Sequence, residues 1–235
     1  MGHLLCSSIG KKLVMSISGL FLIMFLLIHL TLNSFLLLND GGEMFNAAAH
    51  FMKTNPLIKV VEPVLALGFI IHIVYAFLLS AQNRKARGAN AYASGNATTG
   101  VSWASKNMLV LGITILAFLI VHIGQFWVKM KITGSPLLEG KDIVIAGVHT
   151  HVENAYALVN AAFGELWIVA LYVVGSLGLA IHLSHGFWSS FQTVGFSNDV
   201  WKTRFTYIGI AISWIIGLGF SLIAVLQYLF FQSCC

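Results

Sequence analysis

The chain has 235 residues, of which 58% are hydrophobic and 9% charged, where a soluble domain carries about 25% charged residues. That balance excludes a water-soluble enzyme domain, and a net charge of +5 is too small to point to nucleic acid. No tail, low-complexity tract or repeat stands apart, so residues 1–235 are read as a single domain.

In chain order, Lys11 and Lys12 precede an apolar stretch over residues 13–38. It is far longer than the roughly 7–15 residues of a signal-peptide core and no small-residue cleavage site follows, so it reads as an uncleaved first span. Residues 43–54 (EMFNAAAHFMKT) predict a short amphipathic helix on the membrane interface. Further apolar runs at 62–82 and 107–128 give spans two and three. Residues 152–163 predict a second interfacial helix, ahead of spans four and five at 166–190 and 205–231. Each run has about 20 residues or more and, at about 1.5 Å per residue, crosses a hydrocarbon core of about 30 Å. Only helices satisfy the backbone of such segments in lipid. All three prolines, Pro56, Pro63 and Pro136, are assigned to connections or their edges, and Cys6, Cys234 and Cys235 lack metal or disulfide spacing. The fold class is therefore an all-α membrane protein, five transmembrane helices in a bundle with short interfacial helices. Those two helices serve either as a lid over helix ends or as one wall of a site.

Charge sets the orientation. With the N-terminus in the cytoplasm, the inside segments hold Lys11, Lys12, Arg84, Lys85, Arg87, Lys106, Lys202 and Arg204. Seven of the eight acids, all but Asp199, then fall outside or at the outer rim. The basic bias predicts an N-terminus inside and a C-terminus outside.

Polar ionisable groups within a membrane are costly and mark function. Here the spans carry histidines: His29, His72, His122, and His182 with His185, in the first four spans respectively. His29 lies 16 residues beyond Leu13 and His122 lies 14 beyond Met108, about 21–24 Å from the inner end. His182 lies six residues before Trp188, and His72 lies 11 before Asn83. The four divide into an outer pair, His29 with His122, and an inner pair, His72 with His182. Two pairs at two depths suit two stacked haem b groups, each iron held axially by two imidazoles. Zinc would need its ligands at one depth. Gly19, Gly68, Gly112, Gly124, Gly175 and Gly178 offer small neighbours for a flat macrocycle. His185, one turn from His182, is either the ligand itself or a propionate partner, and Lys106 and Arg204 are further propionate candidates.

The segments KKLVMSISGLFLIMFLLIHLTLN, with Ser18, Gly19 and His29, and GLAIHLSHGFWSSFQTVGFS, with His182, Gly186 and Trp188, resemble the cytochrome b subunit of succinate:quinone oxidoreductases. The resemblance is to the single-subunit, five-helix, two-haem type of succinate dehydrogenases and fumarate reductases that use menaquinone. It implies ligation of the outer haem by His29 and His122, and of the inner haem by His72 and His182. It also implies a flavoprotein subunit and an iron–sulfur subunit docked on the cytoplasmic side. Electrons would pass between the clusters, the haems and the quinone, and this chain would bind no dicarboxylate. Quinone chemistry needs a proton-exchanging group at an apolar slot. Glu43, His50, Glu62, His149 and His151 are the outer-side groups, with Glu43 and Glu62 the carboxylates the resemblance favours. The alternatives are a cytochrome b of another membrane dehydrogenase and a small transporter with proton-relay histidines.

Overall fold

A computed structural model describes residues 7–87, 103–196 and 198–231. Cys6, Cys234 and Cys235 lie outside the described residues. Helix α1 spans Ser8–Ser34 and tightens into one 3-10 turn, Phe35–Leu37. Its start is capped by the Ser7 hydroxyl, which accepts from the Gly10 amide at 3.0 Å. Helix α2 covers Glu43–Thr54, as the amphipathic pattern predicted. Asp40 accepts from the amides of Gly42 and Met44, each at 2.9 Å, and so fixes the entry to α2. At Gly42, φ is +81° and the Tyr156 ring fills the place of a side chain, so only glycine fits.

Helix α3 runs from Pro56 to Arg87, beginning earlier than the apolar run suggested. Pro63 lies inside this helix rather than in a connection. It removes one backbone hydrogen bond, which is tolerated near a membrane helix end. The short α4 (Trp103–Lys106) leads into α5 (Met108–His122), which continues as π-helical turns over Ile123–Trp127 and Lys129–Thr133.

A two-stranded hairpin follows and was not anticipated. Strand β1 (Gly140–Ile145) pairs antiparallel with β2 (Val148–Glu153), from Gly140 opposite Glu153 to Ile145 opposite Val148. Ala146 (φ +50°) and Gly147 (φ +83°) make the tight two-residue turn between them. Residues 152 and 153 thus belong to β2, and the second interfacial helix, α6, is Ala155–Phe163. The alternation explains the strands, since Ile143 and Val152 are buried while their neighbours face out. Helix α7 (Leu166–Val194) and helix α8 (Asp199–Phe230) complete the chain.

Packing fixes the order of the helices. Helix α1 packs on α3 and α7, α5 packs on α7, and α8 lies outside against α7 and α1. Helices α3 and α5 scarcely touch, so the four histidine helices form a ring, α3–α1–α7–α5, that is open between its ends. Small residues bring α7 and α8 together. A Cβ at Gly217 would stand 2.5 Å from the Ala180 Cβ and 2.7 Å from the Ser176 carbonyl oxygen. Helix α2, the hairpin and α6 cover one end of the ring as a lid. Asn46, fully buried, ties it by donating to Asn154 at 3.1 Å and accepting from the Tyr156 amide at 2.8 Å.

The outer surface of the bundle is apolar, with Val110 62%, Ile120 66% and Leu218 53% exposed. In water such a surface aggregates, whereas in lipid it is the required one. Among the described residues five helices are long and apolar enough to cross a membrane, and the chain is a multi-pass membrane protein.

Candidate functional site

The ring brings the four histidines together in twos. His29 on α1 and His122 on α5 stand with ring centres 5.8 Å apart and planes at 86°. His72 on α3 and His182 on α7 stand 6.5 Å apart at 69°. Each pair joins helices on opposite sides of the ring, and the two diagonals cross at different levels.

Three helices measure the spacing between levels. On α1, a Cβ at Gly19 would stand 3.4 Å from the His72 ring, and His29 follows ten residues later. On α5, a Cβ at Gly112 would stand 3.9 Å from the His182 ring, and His122 again follows ten residues later. On α7, Tyr172 touches His122, and His182 comes ten residues further on. Ten residues are about 15 Å of helix. The His29–His122 pair lies toward the lid and is the lid-side pair below. The His72–His182 pair is the far-side pair.

Each pair has its own surroundings. His29 stacks on Phe25 (5.2 Å, 19°) and approaches Phe220 (5.5 Å). His122 lies among Phe118, Phe126 and Tyr172, and its Nδ1 is 3.3 Å from the Tyr172 hydroxyl. Asn33 donates to the His29 carbonyl at 2.8 Å, and its amide nitrogen is 3.4 Å from His29 Nδ1. In the far-side pair, His72 Nδ1 is 3.3 Å from the Ser18 hydroxyl. His182 Nδ1 is buried with no hydrogen-bond partner among the described residues.

These residues fit an iron held from both sides. A metal–imidazole bond is about 2 Å, and a ring nitrogen lies roughly 1 Å from its ring centre, so two axial imidazoles place their centres about 6 Å apart. Both observed separations match. The ring planes are steeply inclined, at 86° and 69°, so neither pair is stacked face to face. A buried imidazole nitrogen without a partner costs about 1–3 kcal/mol, so the Nδ1 of His182 is a buried polar atom left unsatisfied by the protein. No cluster of three or more His, Cys, Asp or Glu suited to a metal occurs among the described residues.

The other candidates are placed as follows. His185 is half-buried one turn along α7, and the ring facing His72 is that of His182. Lys106 is exposed at the end of α4, and the Arg204 guanidinium lies 5.2 Å over the Trp201 ring. Glu43 is exposed in the first turn of α2. His50 sits on α2, while His149 and His151 project from the exposed face of β2, His151 bonded to Asp142 at 2.8 Å. Glu62 is the only one of these that bridges two helices of the ring. On α3, it accepts from Trp127 Nε1 at 2.7 Å and from Lys131 Nζ at 2.9 Å, both on the π-helical end of α5. Glu62 lies ten residues lidward of His72 and Trp127 lies five residues lidward of His122. Both therefore border the lid-side pair, across the gap between α3 and α5.

Sequence reasoning missed Tyr172 and Gln125 and gave Ser18 no role beside a histidine. The signal for Ser18 was present, since it precedes His29 by 11 residues, three turns on the same helical face. Gln125, three residues after His122, shares its face too.

Among known proteins, no family model and no solved structure matches the chain. The chain is 25% identical over 172 residues to the succinate dehydrogenase cytochrome b558 subunit of Bacillus subtilis (strain 168), covering 73% of this chain and 72% of that protein. The resemblance is thus to a membrane cytochrome b of a succinate dehydrogenase.

Proposed function

We propose that this chain is the two-haem cytochrome b subunit that anchors a succinate dehydrogenase or fumarate reductase in the bacterial cytoplasmic membrane. It would pass electrons between an iron–sulfur subunit and menaquinone. The observation that carries this reading is the pair of diagonal histidine contacts, at 5.8 and 6.5 Å, about 15 Å apart along the bundle. The similarity to a cytochrome b558 subunit over most of both chains supports it.

His29 and His122 would hold the lid-side haem and His72 and His182 the far-side haem. Haem b, when bound, supplies a reversible one-electron iron couple. With two imidazoles holding each haem, neither iron would keep a position for oxygen, and the chemistry supplied would be electron transfer. The phenylalanines around His29 and His122 keep water from that level. Lys106, Arg204 and His185, toward the far end, are the proposed propionate partners. That end, with its excess of Lys and Arg, would face the cytoplasm and receive the iron–sulfur and flavoprotein subunits, and the lid would face outside.

At the lid end the quinone exchanges two electrons and two protons with the protein. Glu62 is the proposed proton-exchanging carboxylate, held at the mouth of the α3–α5 gap by Trp127 and Lys131. Glu43 is the second carboxylate of that surface. The test is a reduced-minus-oxidised absorbance spectrum of the purified full chain. Two b-type, low-spin components are expected, with flavoprotein and iron–sulfur proteins copurifying from the native membrane. A colourless chain contradicts the proposal.

A further inference from the structure

Two hydroxyl groups occupy equivalent places, one beside each histidine pair, and the function above leaves both unused. Ser18, buried on α1, lies 3.3 Å from His72 Nδ1 and donates to the Met15 carbonyl at 3.0 Å. Tyr172, buried on α7, lies 3.3 Å from His122 Nδ1 and donates to Gln125 Oε1 at 3.1 Å. A hydroxyl has one proton to give. In both cases it goes to an amide or peptide oxygen, which only accepts. The hydroxyl oxygen is then left as an acceptor facing the imidazole, and the proton between them belongs to Nδ1.

We infer that Ser18 and Tyr172 fix the tautomer of one histidine in each pair, His72 and His122, so that each presents Nε2 as a bare lone pair. This rests on the reading of the pairs as haem ligands. Both hydroxyls are held in place: Tyr172 stands edge-on to Phe118 (5.0 Å) and Phe163 (5.1 Å), and Ser18 is anchored to its own helix. The two relays share no residue, and each touches one pair. A bonded Nδ1–H makes the opposite nitrogen a stronger donor. A stronger donor favours the oxidised metal, so removing the hydroxyl should raise the midpoint potential of that centre alone. Ser18 and Tyr172 are positioning residues, acting through the ring they orient.

The experiment uses the full chain with its native cofactors, as wild type, Ser18→Ala, Ser18→Thr and Tyr172→Phe. Potentiometric titration of the absorbance and low-temperature electron paramagnetic resonance of the low-spin ferric centres are recorded. Ser18→Ala should shift the far-side couple upward by about tenfold in its reduction equilibrium, which is about 59 mV for one electron. It should alter that centre's resonance and leave the lid-side centre unchanged. Tyr172→Phe should do the reverse, and Ser18→Thr, which keeps the hydroxyl, should behave as wild type. Loss of the lid-side haem alone in Tyr172→Phe also supports the inference. Unchanged couples in both variants, movement of both couples in either, or loss of both haems overturns it. A wild-type chain without haem overturns the reading of the pairs, and is seen before any variant is compared.

Discussion

A histidine in a membrane helix is conspicuous because the residues around it have nothing to offer an imidazole. That is why His29, His72, His122 and His182 were legible in the sequence; in the fold the ring of His29 meets that of His122, and the ring of His72 that of His182. Their polar neighbours were less visible. A tyrosine such as Tyr172 is an ordinary membrane residue, and its bond to His122 joins two helices whose mutual rotation no single segment encodes. Glu62 was already a candidate at the start of span two, but its bonds from Trp127 and Lys131 join two helices in the same way and were equally hidden. Glu62→Gln keeps the shape and the bond from Trp127 but not the proton exchange. We expect quinone-linked turnover to fall by about 10²-fold with the haem spectrum unaltered, measured by quinol-dependent reduction of the haems. His185→Ala should keep both haems while His182→Ala loses the far-side one, as read from haem-to-protein ratio.

Each long helix declared itself by hydrophobic length alone, and α2 by its amphipathic pattern. The hairpin did not. Its strands are six residues each, with Asp142, His149 and His151 on one face, and they resemble a polar loop until Ile143 and Val152 are found buried on the other. Helix-to-helix packing was equally hidden, because glycine is frequent in membrane helices whether or not it lies at an interface. Of the six glycines singled out for a macrocycle, Gly19 and Gly112 border the far-side imidazoles, and Gly175 and Gly68 instead receive Phe118 and Phe21. Gly124 and Gly178 face open space. Gly217, not among them, is where a side chain on α8 would run into the backbone of α7. Gly217→Leu should separate these helices at a cost of about 1–3 kcal/mol. The expected result is an earlier thermal transition by circular dichroism in detergent, with Gly178→Leu unchanged as the control.

At the scale of the whole molecule, the ring α3–α1–α7–α5 turns four scattered histidines into two crossing diagonals, and α8 braces it from outside. Helix count and order were readable from the sequence. The ring's closure on α1–α7 and its opening at α3–α5 were not, because lipid-facing and helix-facing residues are alike apolar. Orientation rests on charge, so Val148→Cys at the hairpin tip, in a chain whose Cys6, Cys234 and Cys235 are replaced by Ser, should react with a membrane-impermeant maleimide on intact cells. Reaction only after lysis would reverse the assignment of the two ends.

The diagonal pairing itself is most directly tested by counting haem in His122→Ala and His72→Ala beside the wild type. Two haems are expected in the wild type and one in each variant, with the haem that remains in one having the midpoint potential of the haem lost in the other. Loss of the same haem from both variants, or a wild type with none, would contradict the account.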